Sequence, residues 1–317
     1  PVLQQVFTHT HPVEDINLDK NESKVFRSFN NLWASYQIIE GLTLKESISY
    51  DYINNTSVTY WPLSSNNGVM NNGLGATYPV QQHNIYSSTT LNYTKTFNNK
   101  HNVDALIGWD IDDRRKEYVL ATASGYPHDK LPESINASTP LEGFSYYTED
   151  HLLSLLSRVN YDYDNKYYFS ANYRRDGSSR LGANNRWANF WSVSAAWRMT
   201  QEKFMENVSF INDLKIRASY GINGTLPNDL YGHLSLYGYG YNYQTIAGSA
   251  PASVPNPDLS WERNNNFNIG FDARLFDRLG ITFDYYTRKT TDLLQDVPTS
   301  MVVGFTSMLK NVGEMTN

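Results

Sequence analysis

Apolar residues return at every second position along most of this chain, which is the pattern of β-strands with one greasy face and one polar face. Residues 190–198 display it: Trp191, Val193, Ala195 and Trp197 alternate with Ser192, Ser194 and Arg198. Phe267, Ile269, Phe271, Ala273 and Leu275 alternate in the same way with Asn266, Asn268, Gly270, Asp272 and Arg274, and Ile281, Phe283 and Tyr285 answer them after a turn at 277–280. Val103, Ala105, Ile107, Trp109 and Ile111 do so against Asn102, Asp104, Asp110 and Asp112. An all-β fold follows. Its apolar face must meet either a protein core or a lipid bilayer.

Connection lengths bear on that choice. Short turns are expected at 40–41, 98–100, 164–165 and 277–280, and long loops at about 61–82, 120–150, 177–188 and 223–262. The link 200–212 is intermediate, at a place where a short turn is due. Every second loop is long, and strands of about ten residues or more with this asymmetry are what an outer-membrane barrel requires. Tyr50, Tyr52, Tyr161, Tyr163, Tyr167 and Tyr173 fall at strand ends, where aromatic girdles lie in such a barrel. A soluble sandwich or propeller would explain the alternation equally well.

Composition removes several functions. No apolar run approaches the ~20 residues of a membrane-spanning helix, so a membrane role has to use strands. A net charge of -6 lacks the basic excess that neutralises phosphates, which argues against nucleic acid. With no cysteine, thiolate metal sites and nucleophiles are unavailable. His9 and His11 with Glu14 and Asp15, and Asp110 with Asp112 and Asp113, lack the spacing of metal sites, so no metal, cofactor or catalytic residue is expected.

The segment YFSANYRRDGSSRLGANNRWANFWSVSAAWRMTQEKFM (168–205) resembles the stretch of SusC/RagA-family TonB-dependent transporters in which an RxDGSSRFG-like loop precedes an NRWGxFPSxSxGWR-like strand. Asp176, Gly177, Ser178, Ser179, Arg180, Gly182, Asn185, Arg186 and Trp187 carry the match. INDLKIRASYGINGT (211–225) is similar to the family's SDLKLRASYGxTGN, PNPDLSWERNNNFNIGFDARLF (255–276) to its NPDLKWExxxxxNxGxD strand, and NVGEMTN (311–317) to its NxGxxxNxG. Leu181 stands where the family usually has Phe, and Trp191 where Pro is common.

The resemblance implies a fold: residues 1–317 as part of one large antiparallel transmembrane β-barrel in the bacterial outer membrane, with short periplasmic turns and long extracellular loops. The plug domain and TonB box lie outside this chain, which is expected to be an internal piece of a longer protein. It also implies a function, active import of an oligosaccharide or oligopeptide, with a SusD-like surface lipoprotein and the TonB-ExbB-ExbD complex as partners and no enzymatic step. A soluble glycan-binding or glycan-cleaving domain and a passive porin or adhesin barrel are the alternatives.

Substrate contacts are then expected in extracellular loops, at Trp61, Asn66, Asn71 and Tyr78 and at Tyr237, Tyr239, Tyr241 and Tyr243. Tyrosine gives a flat surface and a hydroxyl at low entropy cost, although the last four could simply pack on one another at the rim. Arg174, Arg198, Arg217, Asp272, Asp284 and Arg288 are expected to face the lumen, chiefly as cross-strand ion pairs. Gly177 and Gly182 are expected to let the chain bend between Arg174 and Arg186.

Overall fold

The computed structural model describes residues 12–133 and 136–317. A short helix, α1 (Pro12–Leu18), precedes β1 (Lys20–Ile39), β2 (Leu42–Trp61), β3 (Leu74–Phe97), β4 (His101–Ser124), β5 (Thr139–Tyr163), β6 (Tyr167–Ser178), β7 (Trp187–Arg198) and β8 (Ile211–Thr225). Then come β9 (Tyr237–Tyr239), β10 (Ser249–Pro251), β11 (Glu262–Leu275), β12 (Leu279–Thr291), β13 (Leu294–Pro298), β14 (Ser307–Asn311) and β15 (Glu314–Thr316). Among the described residues eleven strands join one sheet in the order β1-β2-β3-β4-β5-β6-β7-β8-β11-β12-β15, and β9-β10 and β13-β14 form separate two-stranded ribbons.

Turn chemistry accounts for the up-and-down order. Type I′ turns, which match the strand twist, need positive φ at both central positions, which, besides Gly, Asn and Asp tolerate best. Asn98 and Asn99 supply this between β3 and β4 (φ 50° and 54°), and Asp164 and Asn165 between β5 and β6 (φ 54° and 55°). Phe276 is the costly case, at φ 54° between β11 and β12. Its ring stacks on Phe210 at 5.9 Å, so the aromatic contact holds a backbone conformation that Phe disfavours. The longer β7–β8 link is also braced: the Glu202 carboxylate accepts from the Tyr167 hydroxyl at 2.5 Å and from Trp197 Nε1 at 3.3 Å. That hydroxyl is the main reason Glu202 titrates below its ordinary value.

Backbone contacts divide the chain into two compact units, one of residues 1–31, 49–85 and 114–149, the other of residues 32–48, 86–113 and 150–317. In the second unit the register sorts side chains into two faces. One row runs Tyr161, Phe169, Ala195, Ala218, Ile269, Tyr285 from β5 to β12, and the adjacent row on the opposite face runs Asn160, Ser170, Ser194, Ser219, Asn268, Tyr286. The apolar rows are not packed against protein: Val193 is 48% exposed, Phe169 54% and Phe283 54%. Glu46 interrupts this face on β2 between Leu44 and Ile48, and its carboxylate accepts from Ser87 Oγ at 2.8 Å and from Thr89 Oγ1.

Among the described residues, a cluster of buried hydrophobics, Leu181, Ala188, Phe190, Leu259 and Trp261, lies where β6, β7, β8 and β11 run into their long loops. A sheet this long with an uncovered apolar face is a wall, because a soluble sandwich would bury that face, which here is exposed at Val193, Phe169 and Phe283.

Strands overrun the expected loops. The connection read as 61–82 shrinks to 62–73, and that read as 120–150 shrinks to 125–138. In the first unit, Tyr60 and Tyr126 meet edge to face at 5.0 Å under these two connections, and Leu63 N donates to Asp129 at 2.6 Å. Burial first, then the Asp129 carboxylate, pushes the Tyr60 hydroxyl up to about 12.

Candidate functional site

Two places concentrate functional side chains: the polar face of the sheet, and the ends of the strands that carry long loops. On the polar face of the second unit, Arg217 of β8 donates through Nη1 to Asp284 of β12 at 2.6 Å and through Nε to Asp272 of β11 at 3.1 Å. The residue between them in the register is Gly270. A Cβ there would sit 2.6 Å from the Asp284 carboxylate, so the missing side chain is what lets the guanidinium reach across a whole strand. Arg198 forks onto Asp213 at 2.8 and 3.0 Å, and Arg174 joins Asp176, Asp110 and Ser154 at 2.7, 3.4 and 2.7 Å.

Arg288 takes a different partner from the expected carboxylate. It donates through Nε and Nη2 to the side-chain oxygen of Asn264, at 3.1 and 2.7 Å. Asn264 is almost wholly buried and also accepts from Thr290 and donates to Thr225, which ties β8, β11 and β12 together. All six charged residues singled out on the sequence share this face.

The loop-end cluster explains the sequence motifs. Arg180 donates to Asp150 through Nε and Nη2, at 3.2 and 2.8 Å, and through Nη1 to the carbonyl of Pro227 at 3.2 Å. Asn256 donates to the carbonyl of Leu309 at 2.8 Å, while Asn311 bridges the carbonyls of Ser260 and Asp292 at 2.9 and 3.0 Å. The expected bending role of two glycines is corrected: Gly177 lies within β6 beneath the Trp187 ring, and a Cβ on Gly182 would meet the Pro257 carbonyl at 1.9 Å. Both are sites of close approach. Positive φ is found at neither.

The aromatic and amide candidates separate. Asn66 and Asn71 are exposed in the connection after β2, but Trp61 is the last residue of β2, and Tyr78 belongs to β3 rather than to a loop. Tyr78 there faces Tyr118 of β4 at 6.4 Å, and Tyr118 stacks on Tyr146 of β5 at 4.6 Å and 12°. Tyr146 escapes sequence reasoning because it lies in the segment that reads as the long loop 120–150, and Tyr118 because nothing in its strand pattern singles it out. Tyr237 and Tyr239 lie on β9, opposite β10, with Tyr241 and Tyr243 beyond. These four are 58%, 85%, 63% and 74% exposed. His9 and His11 lie outside the described residues.

His233 is the histidine of the long β8–β11 connection. Its Nδ1 is buried without a hydrogen-bond partner, and its backbone carbonyl accepts from Asn256 N at 3.2 Å. Burial is the main cause that lowers its pKa from 6.5, opposed by a hydrogen bond to the Arg180 backbone and by Asp229, with Arg186 adding to the lowering. A depressed histidine contributes stability above its unfolded pKa and loses it as pH falls through the folded one. The segment 226–236 is therefore expected to lose hydrogen-exchange protection between pH 7.5 and pH 5, and His233→Gln should remove that difference; identical protection at both pH values would contradict it.

Residues 8–317 match the model of the family described as TonB dependent receptor-like, beta-barrel. A TonB-dependent receptor of Formosa agariphila is 33% identical over 323 residues, covering 99% of this chain and 31% of the relative. The TonB-dependent receptor SusC of Bacteroides thetaiotaomicron is 27% identical over 314 residues, covering 96% of this chain and 31% of the relative. The chain thus spans about a third of the length of the curated relatives it matches. Among solved structures, the RagAB peptide transporter superposes with a TM-score of 0.84 at 30% identity, over 94% of this chain and 34% of that one. The ferric-catecholate import receptor Fiu of E. coli, at 10% identity with a TM-score of 0.56 over 95% of this chain and 44% of that one, shares the fold alone.

Proposed function

Because this chain belongs to the TonB-dependent receptor-like β-barrel family, a family of the bacterial outer membrane, we propose that it forms part of the wall and extracellular rim of an active importer for an oligosaccharide or oligopeptide. The observation that carries this reading is the two-faced sheet: a continuous uncovered apolar face, backed by a polar face on which Arg174, Arg198 and Arg217 are paired with carboxylates. Arg174, Arg198, Arg217, Asp272, Asp284 and Arg288 then face the lumen. Their pairing leaves a wetted surface without a strong field of one sign, which suits passage of a neutral or mixed cargo.

At the rim, the exposed tyrosines of β9 and the turn beyond it, together with Trp61, Asn66, Asn71 and Tyr78, are the surfaces offered to cargo and to a SusD-like lipoprotein. The chain binds and gates and performs no catalysis, and the energy comes from the TonB-ExbB-ExbD complex through the rest of the protein. Uptake of labelled oligosaccharides and oligopeptides by cells carrying or lacking the whole gene tests this. Uptake should depend on both the gene and TonB, and the lipoprotein should co-purify from detergent extracts. Gene-dependent uptake that survives loss of TonB would indicate a passive porin instead.

A further inference from the structure

We propose that Tyr78, Tyr118, Tyr146 and Phe144 form a binding rail for an uncharged oligosaccharide on the far ends of β3, β4 and β5, an inference that rests on the import reading above. The four rings lie on three neighbouring strands of the first unit, and their centroids step by 6.4, 4.6 and 5.9 Å with interplanar angles of 31°, 12° and 30°. Each ring is braced by the next, so little further entropy is lost when a ligand settles on them. Yet the row is open: Tyr146 is 49% and Phe144 40% exposed. A contiguous exposed aromatic patch is the kind of surface that marks an interaction site.

Ring chemistry indicates the ligand class. The Tyr146 hydroxyl bonds to that of Tyr78, and since each hydroxyl both donates and accepts, the row keeps ring edges and hydrogen-bonding capacity for a ligand. Such a surface meets the C–H and O–H groups of a sugar without needing charge. The nearby ions are committed elsewhere, since Arg115 bonds to Glu117 and Glu149, each at 2.8 Å, and lies 4.4 Å over the Tyr147 ring. Alternation puts those odd-numbered residues on the opposite face from Tyr118, Phe144 and Tyr146. Lys116 and Glu142 share the even-numbered face at the flanks, with opposite signs that leave the row without net charge. A charged ligand would require a counter-ion that this row does not offer. The simpler role of such a row, cross-strand pairing that only stiffens the strands, makes a different prediction for the hydroxyls and for binding.

The test uses the full-length protein in detergent, applied to an array of neutral oligosaccharides from plant, algal and bacterial polysaccharides and, alongside, to an array of oligopeptides. At least one neutral series should bind, and Tyr118→Ala or Tyr146→Ala should weaken it about tenfold, as for an aromatic anchor. Tyr118→Phe, which keeps the stack, should weaken it less but measurably. Three results overturn the proposal: binding on the peptide array alone; sugar binding equal in the wild type and in a Tyr118→Ala protein that still folds; or no sugar binding by a protein that still sustains TonB-dependent uptake. Loss of uptake dependence on TonB would instead strike the import reading, so the two failures are distinguishable.

Discussion

Val193→Lys is expected to destabilise the membrane-inserted protein by about 2–4 kcal/mol, the cost of a lysine at the bilayer midplane on the lipid face of a barrel. Val193 sits between Trp191 and Trp197 on β7, pairs with Ala171 and Tyr220, and is 48% exposed. Neither of its register partners, Ala171 and Tyr220, can neutralise an ammonium. Ser194→Lys places the same charge one residue along, among Ser170 and Ser219 on the wetted face, and should cost little. Urea titrations of the full-length protein refolded into phospholipid vesicles measure both. Equal effects at the two positions would mean that the faces have been exchanged.

Trp261→Ala is expected to cost about 3–5 kcal/mol, the usual range for removing a large buried aromatic. Trp261 is 5% exposed, meets Phe190 edge to face at 5.2 Å, and donates through Nε1 to the carbonyl of Arg186 at 3.3 Å. The loss should be local, because the cluster it anchors is separate from the lipid-facing rows. Hydrogen exchange should therefore rise in 179–186 and 256–261, while the strand amides of 191–197 stay protected. Unchanged protection in those loops would remove the cluster from its anchoring role.

Period-two alternation made the wall legible wherever one face meets lipid, as on β7, β8, β11 and β12. It failed above that zone. Residues 139–150, Thr-Pro-Leu-Glu-Gly-Phe-Ser-Tyr-Tyr-Thr-Glu-Asp, begin β5 without a clean apolar alternation, so they read as part of the loop 120–150 although they form strand. Phe144 and Tyr146 were hidden for that reason. The charged face was legible as a face, but its pairings were not: Arg217 reaches over Gly270, and Arg288 goes to Asn264, choices that depend on register. Glu46 could not be foreseen as acceptable on an apolar face, since its hydroxyl partners lie about forty residues away at Ser87 and Thr89. Close approach of Gly182 to Pro257 is equally invisible along the chain, whereas a positive φ at Asn98 or Asp164 is written in the local residue type.

The motif residues at the loop ends are spent on one another: Arg180 on Asp150 and Pro227, Asn256 on Leu309, Gly182 on Pro257. A joint that is satisfied internally is indifferent to what it carries. It works as a socket, into which the arm running from Tyr237 to Pro251 is fitted by its two ends. Arms of other lengths and chemistries are then exchangeable between relatives without disturbing the wall, and whatever contacts an arm makes with cargo should travel with it in a chimaera and leave the socket unchanged.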